Sequence, residues 1–143
     1  MTLALPAVSL AQLGSALEAS WRADTAYGGV HQAGNPALGQ CYPTSRVVQW
    51  FFPRFEIAHG QVETGSATEA HFWNIDPAQD PAEHVDLSWQ QFPAGAMVTG
   101  FVVLDRNTLN DSAPTGRRCR LLLDRVLHRL SIADAFRGDP AAT

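Results

Sequence analysis

The chain has 143 residues, 45% of them hydrophobic and 17% charged, which fits one compact domain with a real core and excludes a disordered tail, a collagen-like repeat or a coiled coil. Net charge is −4 and every basic residue is Arg, so a general nucleic-acid-binding surface, Schiff-base lysine chemistry and a phosphate-loop lysine are all excluded. Two cysteines, Cys41 and Cys119, are too few for a disulfide scaffold or a four-Cys zinc site.

In chain order, the N-terminal stretch has no Lys or Arg before Arg22 and so does not read as a signal peptide. No apolar run reaches the ~18 residues of a membrane span. A cytoplasmic protein with reduced thiols and no membrane contact is the expectation. Ser9 with Gln12 is a capping-box pattern, and Leu10, Leu13, Leu17 and Trp21 follow at helical spacing, predicting a helix over Leu10–Trp21. Residues 23–40 hold Gly28, Gly29, Gly34, Gly39 and Pro36 and read as a long irregular connection, a kind that often carries function. A second helix opens at Cys41 or, because Pro43 suits a first turn, at Pro43, and Pro53 ends it. Strands are predicted over 55–62, 70–76, 83–88 and 98–104. The last helix is predicted over 116–130 with Thr115 or Ser112 as its cap, within a domain of residues 1–137, and 138–143 reads as a disordered tail.

Charge is uneven along this order. Between Phe55 and Asp105 there are eight acids and no Arg, whereas seven Arg and four acids follow. The acidic middle is either a solvated face that meets a basic helix or the surroundings of a site favouring cationic or neutral substrates. The basic helix (Arg117, Arg118, Arg120, Arg125, Arg129) either faces water or meets an acidic partner.

The two cysteines differ in context. Cys119 shares a helical stripe with Leu122, Leu123, Val126, Leu127 and Leu130 and reads as a small core hydrophobe. Cys41 follows Gly39-Gln40 at a helix start, where unpaired N–H groups and the macrodipole favour an anion and hence a nucleophilic thiolate.

A hairpin with loop 77–82 pairs Asp76 with Glu83, Asn74 with Val85 and Phe72 with Leu87 on one face. The other face then carries His71, Trp73, His84 and Asp86, with His71 and Asp86 as diagonal neighbours. A thiol, an imidazole to take its proton and a carboxylate to orient that imidazole are the parts of nucleophilic acyl transfer.

The motifs Asn35-Pro36-x-x-Gly39-Gln40-Cys41, His71-x-Trp73-Asn74 and Val85-Asp86-Leu87-Ser88-x-x-Gln91-Phe92, preceded by Ser20-Trp21-x-x-x-Thr25-x-Tyr27, resemble the YunG-like proteins, a family of small bacterial proteins of unsettled function. More distantly, a helix-start Cys followed by a strand His and a strand Asp is similar to the papain-like and transglutaminase-like superfamily. The resemblance implies an α+β fold in which the N-terminal and Cys-bearing helices pack on a small antiparallel sheet, with a C-terminal helix. It implies Cys41 as nucleophile, His71 as base and Asp86 as orienting carboxylate, acting on a small-molecule or peptide amide without a cofactor. The Cys41 N–H is one oxyanion donor, Gln40, Gln32 or Asn35 could supply another, and Trp73 and Asn74 are candidate substrate contacts.

Two other readings compete. Cys41, His71, His84 and Asp86 are possible metal ligands, although only His84-x-Asp86 is closely spaced. Alternatively, the same fold is a non-catalytic binding module whose cleft is lined by Trp21, Trp50, Trp73 and Trp89.

Overall fold

The structure, a computed structural model, describes residues 5–137, so the expected disordered tail at 138–143 lies outside the described residues. Helix α1 (Leu10–Ser20) begins with the full capping box: Gln12 N–H donates to Ser9 Oγ at 3.1 Å, and Ser9 N–H donates to Gln12 Oε1 at 2.8 Å. It ends one residue earlier than predicted, because Trp21 is already extended and caps the helix. The following connection is irregular, as expected, but contains two short 3-10 turns, Ala23–Thr25 and Tyr27–Gly29. Helix α2 spans Cys41–Phe51, so Cys41 is its first residue and Pro43 stands in its first turn, where a missing N–H breaks no helical hydrogen bond.

Strands β1 (Glu56–Glu63), β2 (Thr68–Asp76), β3 (Glu83–Val85) and β4 (Met97–Leu104) form one antiparallel sheet in the order β3-β2-β1-β4. The fold class is α+β. The hairpin register is the predicted one, Asn74 opposite Val85 and Asp76 opposite Glu83. Strand β3 is shorter than the predicted 83–88, because Asp86 turns the chain by accepting the Ser88 N–H at Oδ1, 3.2 Å away. Helix α3 runs Ala113–Arg137, longer at both ends than 116–130. Its start is held by Ser112, whose Oγ accepts the Thr115 N–H at 3.3 Å. Among the described residues no helix is long and apolar enough to cross a membrane.

Packing divides into two layers. The larger core joins Leu13, Leu17 and Trp21 of the α1 segment to Val47 and Val48 of α2, Phe55, and Leu122, Val126 and Leu130 of α3. Val85 and Leu87 pack against this core, so alternation sends His84 and Asp86 to the opposite side. There a second, smaller cluster forms from Ala58, Trp73 and Ile75. Gly60 makes this cluster possible, since a Cβ there would lie 2.4 Å from the Gly100 carbonyl oxygen and 2.6 Å from the Trp73 ring. The acidic middle of the chain is partly neutralised by the Arg residues that bracket it. Arg54 reaches Asp76 and Glu83, each at 3.6 Å, and Arg106 Nε donates to Glu56 at 2.8 Å.

Candidate functional site

The irregular connection places Cys41 by a small set of polar ties. Gly39, at φ +78°, accepts the Tyr27 N–H on its carbonyl at 2.9 Å, and a Cβ at this position would crowd Ala26 and Tyr27 at 3.3 Å. Gln40 is fully buried: its Nε2 donates to the Arg22 carbonyl at 2.8 Å and its Oε1 accepts from Thr25 Oγ1 at 2.9 Å. The Gln40 carbonyl then accepts the Thr44 N–H at 3.0 Å, which starts α2. Gln40 gives the first turn no side-chain cap, and Pro43 has no N–H, so the N–H groups of Cys41 and Tyr42 form the open donors of the helix mouth. The Cys41 side chain is half-buried and reduced.

His71 lies on β2, fully buried, with Phe92 edge-on at 4.7 Å between ring centroids and Trp73 stacked at 5.7 Å. Its Nε2–H donates to Asp86 Oδ2 at 2.6 Å, and Asp86 Oδ1 is held in turn by the Ser88 N–H and hydroxyl, at 3.2 and 3.4 Å. Burial pulls the His71 pKa down. The hydrogen bond to Asp86, then the Cys41 side chain, and the charges of both outweigh that burial and carry the pKa up to about 9. The imidazole therefore keeps its second proton through neutral pH. Cys41 thus lies within interaction range of the ring without closing an aligned hydrogen bond: Nδ1 is buried and unpartnered. With Nε2 committed to Asp86, Nδ1 is the nitrogen left for the thiol. A helix-start thiol, an imidazole and a carboxylate locking the imidazole's far side are the parts that nucleophilic chemistry needs.

The structure brings Cys41, His71 and Asp86 together, and it places the other expected residues differently. Gln40 is sealed from solvent with both ends of its amide engaged, so it cannot reach a substrate oxygen without leaving its seat. Asn35 Nδ2 donates to the Gln91 carbonyl at 2.9 Å, tying the long connection to the 3-10 turn Trp89–Gln91. Gln32 forms an isolated bridge with Asn35. Asn74 is buried and donates to the Ser45 carbonyl at 3.0 Å, clamping α2 to β2. Trp73 is buried and donates from Nε1 to His84 Nδ1 at 2.9 Å.

The four tryptophans do not share one cleft. Trp21 and Trp50 belong to the larger core, whereas Trp73 and Trp89 flank His71 on the other side. Among the described residues no three of His, Cys, Asp or Glu are grouped to hold a metal.

Several motif residues to which the sequence assigned no role form the layer behind the site. Thr25 holds Gln40, Ser88 holds Asp86, and Phe92 packs on the His71 ring. Trp21 Nε1 donates to Thr44 Oγ1 at 2.9 Å, fastening α1 to α2. Asp86-x-Ser88 is a recognisable turn pattern. Thr25 with Gln40 had no local signal, because the contact spans fifteen residues.

Compared with known proteins, residues 9–131 match the model of the YunG protein family. No curated protein and no solved structure matches the chain. The chain belongs to the YunG family.

Proposed function

We propose that this YunG family member is a thiol-dependent acyl-transfer enzyme acting on an amide, on a fold of papain-like type. The order of a helix-start Cys, a strand His and a following Asp supports the papain-like reading. The observation that carries the function is the buried imidazole fastened to Asp86 at 2.6 Å with its remaining nitrogen unpartnered beside Cys41.

In this reading the Cys41 sulfur attacks the amide carbonyl carbon while His71 Nδ1 holds the thiol's proton. The carbonyl oxygen gathers negative charge, and the Cys41 backbone N–H at the helix mouth is the donor best placed for it. The C–N bond then breaks as His71 passes its proton to the departing amine, leaving a thioester on Cys41. Water, or a second amine, attacks that thioester. Its proton goes to His71 as the thiolate leaves, restoring the ion pair of the start. Asp86 steadies the imidazolium at the start of the cycle and again when water restores it. The amides of Gln40, Asn35 and Asn74 act through the scaffold: each is spent on the backbone or a buried hydroxyl that positions α2 or the long connection.

The test is alkylation by iodoacetamide at pH 6 to 9, read by intact mass on Cys41→Ser and Cys119→Ser variants so that each carries one thiol. Cys41 is expected to react at pH 6 at least tenfold faster than an ordinary thiol, and His71→Ala to remove most of that advantage, since a positioned base contributes about 10²–10⁴-fold. A Cys41 that behaves as an ordinary thiol in both backgrounds would falsify the reading.

A further inference from the structure

A cavity of about 280 Å³ opens beside the mouth of α2, and the two residues after the thiol, Tyr42 and Pro43, are part of its wall. Tyr27, Tyr42 and Phe72 supply three aromatic rings to its lining, and Asp111, Thr115 and Arg118 supply polar groups. The two charges there are not equivalent. Asp111 is spent: it accepts the Tyr42 hydroxyl and pairs with Arg46 Nε at 3.1 Å.

Arg46, Arg54, Arg106 and Arg125 have carboxylate partners among the described residues, and Arg118, like Arg22, Arg117, Arg120 and Arg129, has none. The Arg118 Nη2 donates to Thr115 Oγ1 at 3.0 Å, its guanidinium lies 5.8 Å from the Tyr27 ring centroid, and its Nε is buried without an acceptor. A buried donor with no acceptor is costly and rare. A planar guanidinium fork held between a ring and a hydroxyl is preorganised for a carboxylate. An apolar pocket with a few convergent polar groups is the usual form of a small-molecule site.

We propose that this cavity binds an aromatic or apolar group ending in a carboxylate, read by Arg118, as part of the amide substrate. The assignment rests on the acyl-transfer reading, which makes Cys41 the reacting group, but the pocket's chemistry can be tested separately. The Arg cluster of α3 thereby divides. Arg125 is spent on Asp24 at the surface, while Arg118 lines a cavity whose one acid, Asp111, is taken by Tyr42 and Arg46.

The probes are 3-phenylpropionate and its neutral amide, 3-phenylpropionamide, titrated into the full chain and followed by ¹H–¹⁵N correlation spectra, including the arginine Nε–H signals. The carboxylate is expected to bind about tenfold more tightly than the amide, as a charge-assisted fork would give. It should shift the Arg118 Nε–H signal, which the amide should leave in place. Arg118→Gln should bring the two affinities within about twofold. Equal affinities in the unaltered chain, or an unmoved Arg118 signal, overturn the proposal without need of any variant. Bound 3-phenylpropionate should also slow Cys41 alkylation at least threefold. Binding without protection would detach the pocket from the substrate and overturn that assignment. The same titration in Cys41→Ser separates the two proposals: the carboxylate preference survives there even if the thiol chemistry fails.

Discussion

Cys41 and Cys119 both sit in helices that pack against one another, yet their surroundings differ. Cys119 lies within α3 on its leucine face, 1% exposed, and burial first and then the nearby Asp111 charge push its thiol up to about 12. Cys41 begins α2, half-buried at the helix mouth, beside an imidazole whose proton is retained through neutral pH. The lesson is positional. A thiol buried on a leucine face beside a carboxylate is held in its protonated form, whereas a thiol at the first residue of a helix has open N–H donors and an imidazole from another element near it.

The contrast can be broken most strongly from the Cys119 side. Leu122→Ala removes a fully buried side chain of the larger core and should cost about 2–5 kcal/mol in urea unfolding. Cys119 alkylation, which needs the core to open, should then rise a hundredfold or more while Cys41 keeps its rate to within a few-fold. An unchanged Cys119 rate at the lowered stability would show that the thiol is reached without opening the core.

Asp86→Asn attacks the other thiol's partner. The His71 pKa lies at about 9 in the folded chain against an ordinary 6.5. A raised pKa stabilises the fold fully below about pH 6.5, and that contribution is lost as pH rises through about 9. The variant should therefore be less stable than the unaltered chain by order 3 kcal/mol at pH 6, with the gap closing as pH passes 9. A gap independent of pH would mean that Asp86 acts only as a turn residue through Ser88.

The smallest effect is expected from Cys119→Ser. A hydroxyl in place of a buried thiol should cost about 1–3 kcal/mol, and Cys41 alkylation should stay within twofold. A larger change at Cys41 would show that the two regions are coupled, most directly through Asp111, which bonds Tyr42 and raises Cys119.

Much of this contrast was legible along the chain. The capping box of Ser9 and Gln12, the leucine stripe around Cys119 and the hairpin register that sets His71 near Asp86 are all short-range patterns. Each involves residues a few positions apart or paired across one tight connection. The ends of β3 and α3 were harder. Asp86 leaves the strand to accept the Ser88 N–H, and Pro114 is tolerated because it stands in the first turn of α3.

What tertiary structure alone decided is where the polar side chains near the thiol spend their hydrogen bonds. Gln40, Asn35 and Asn74 have the same chemistry as an oxyanion or substrate donor, and nothing in their order distinguishes that use from a structural one. Each instead satisfies a carbonyl 18, 56 or 29 positions away, because a buried carbonyl without a donor is costly and the fold chooses which ones are buried. The meeting of Tyr42 with Asp111 and the unpartnered Nε of Arg118 are decided the same way, by packing between segments distant in sequence. Composition and spacing were enough to single out one thiol and its imidazole. Only the packed chain shows which of its neighbours are already spent on holding the fold together.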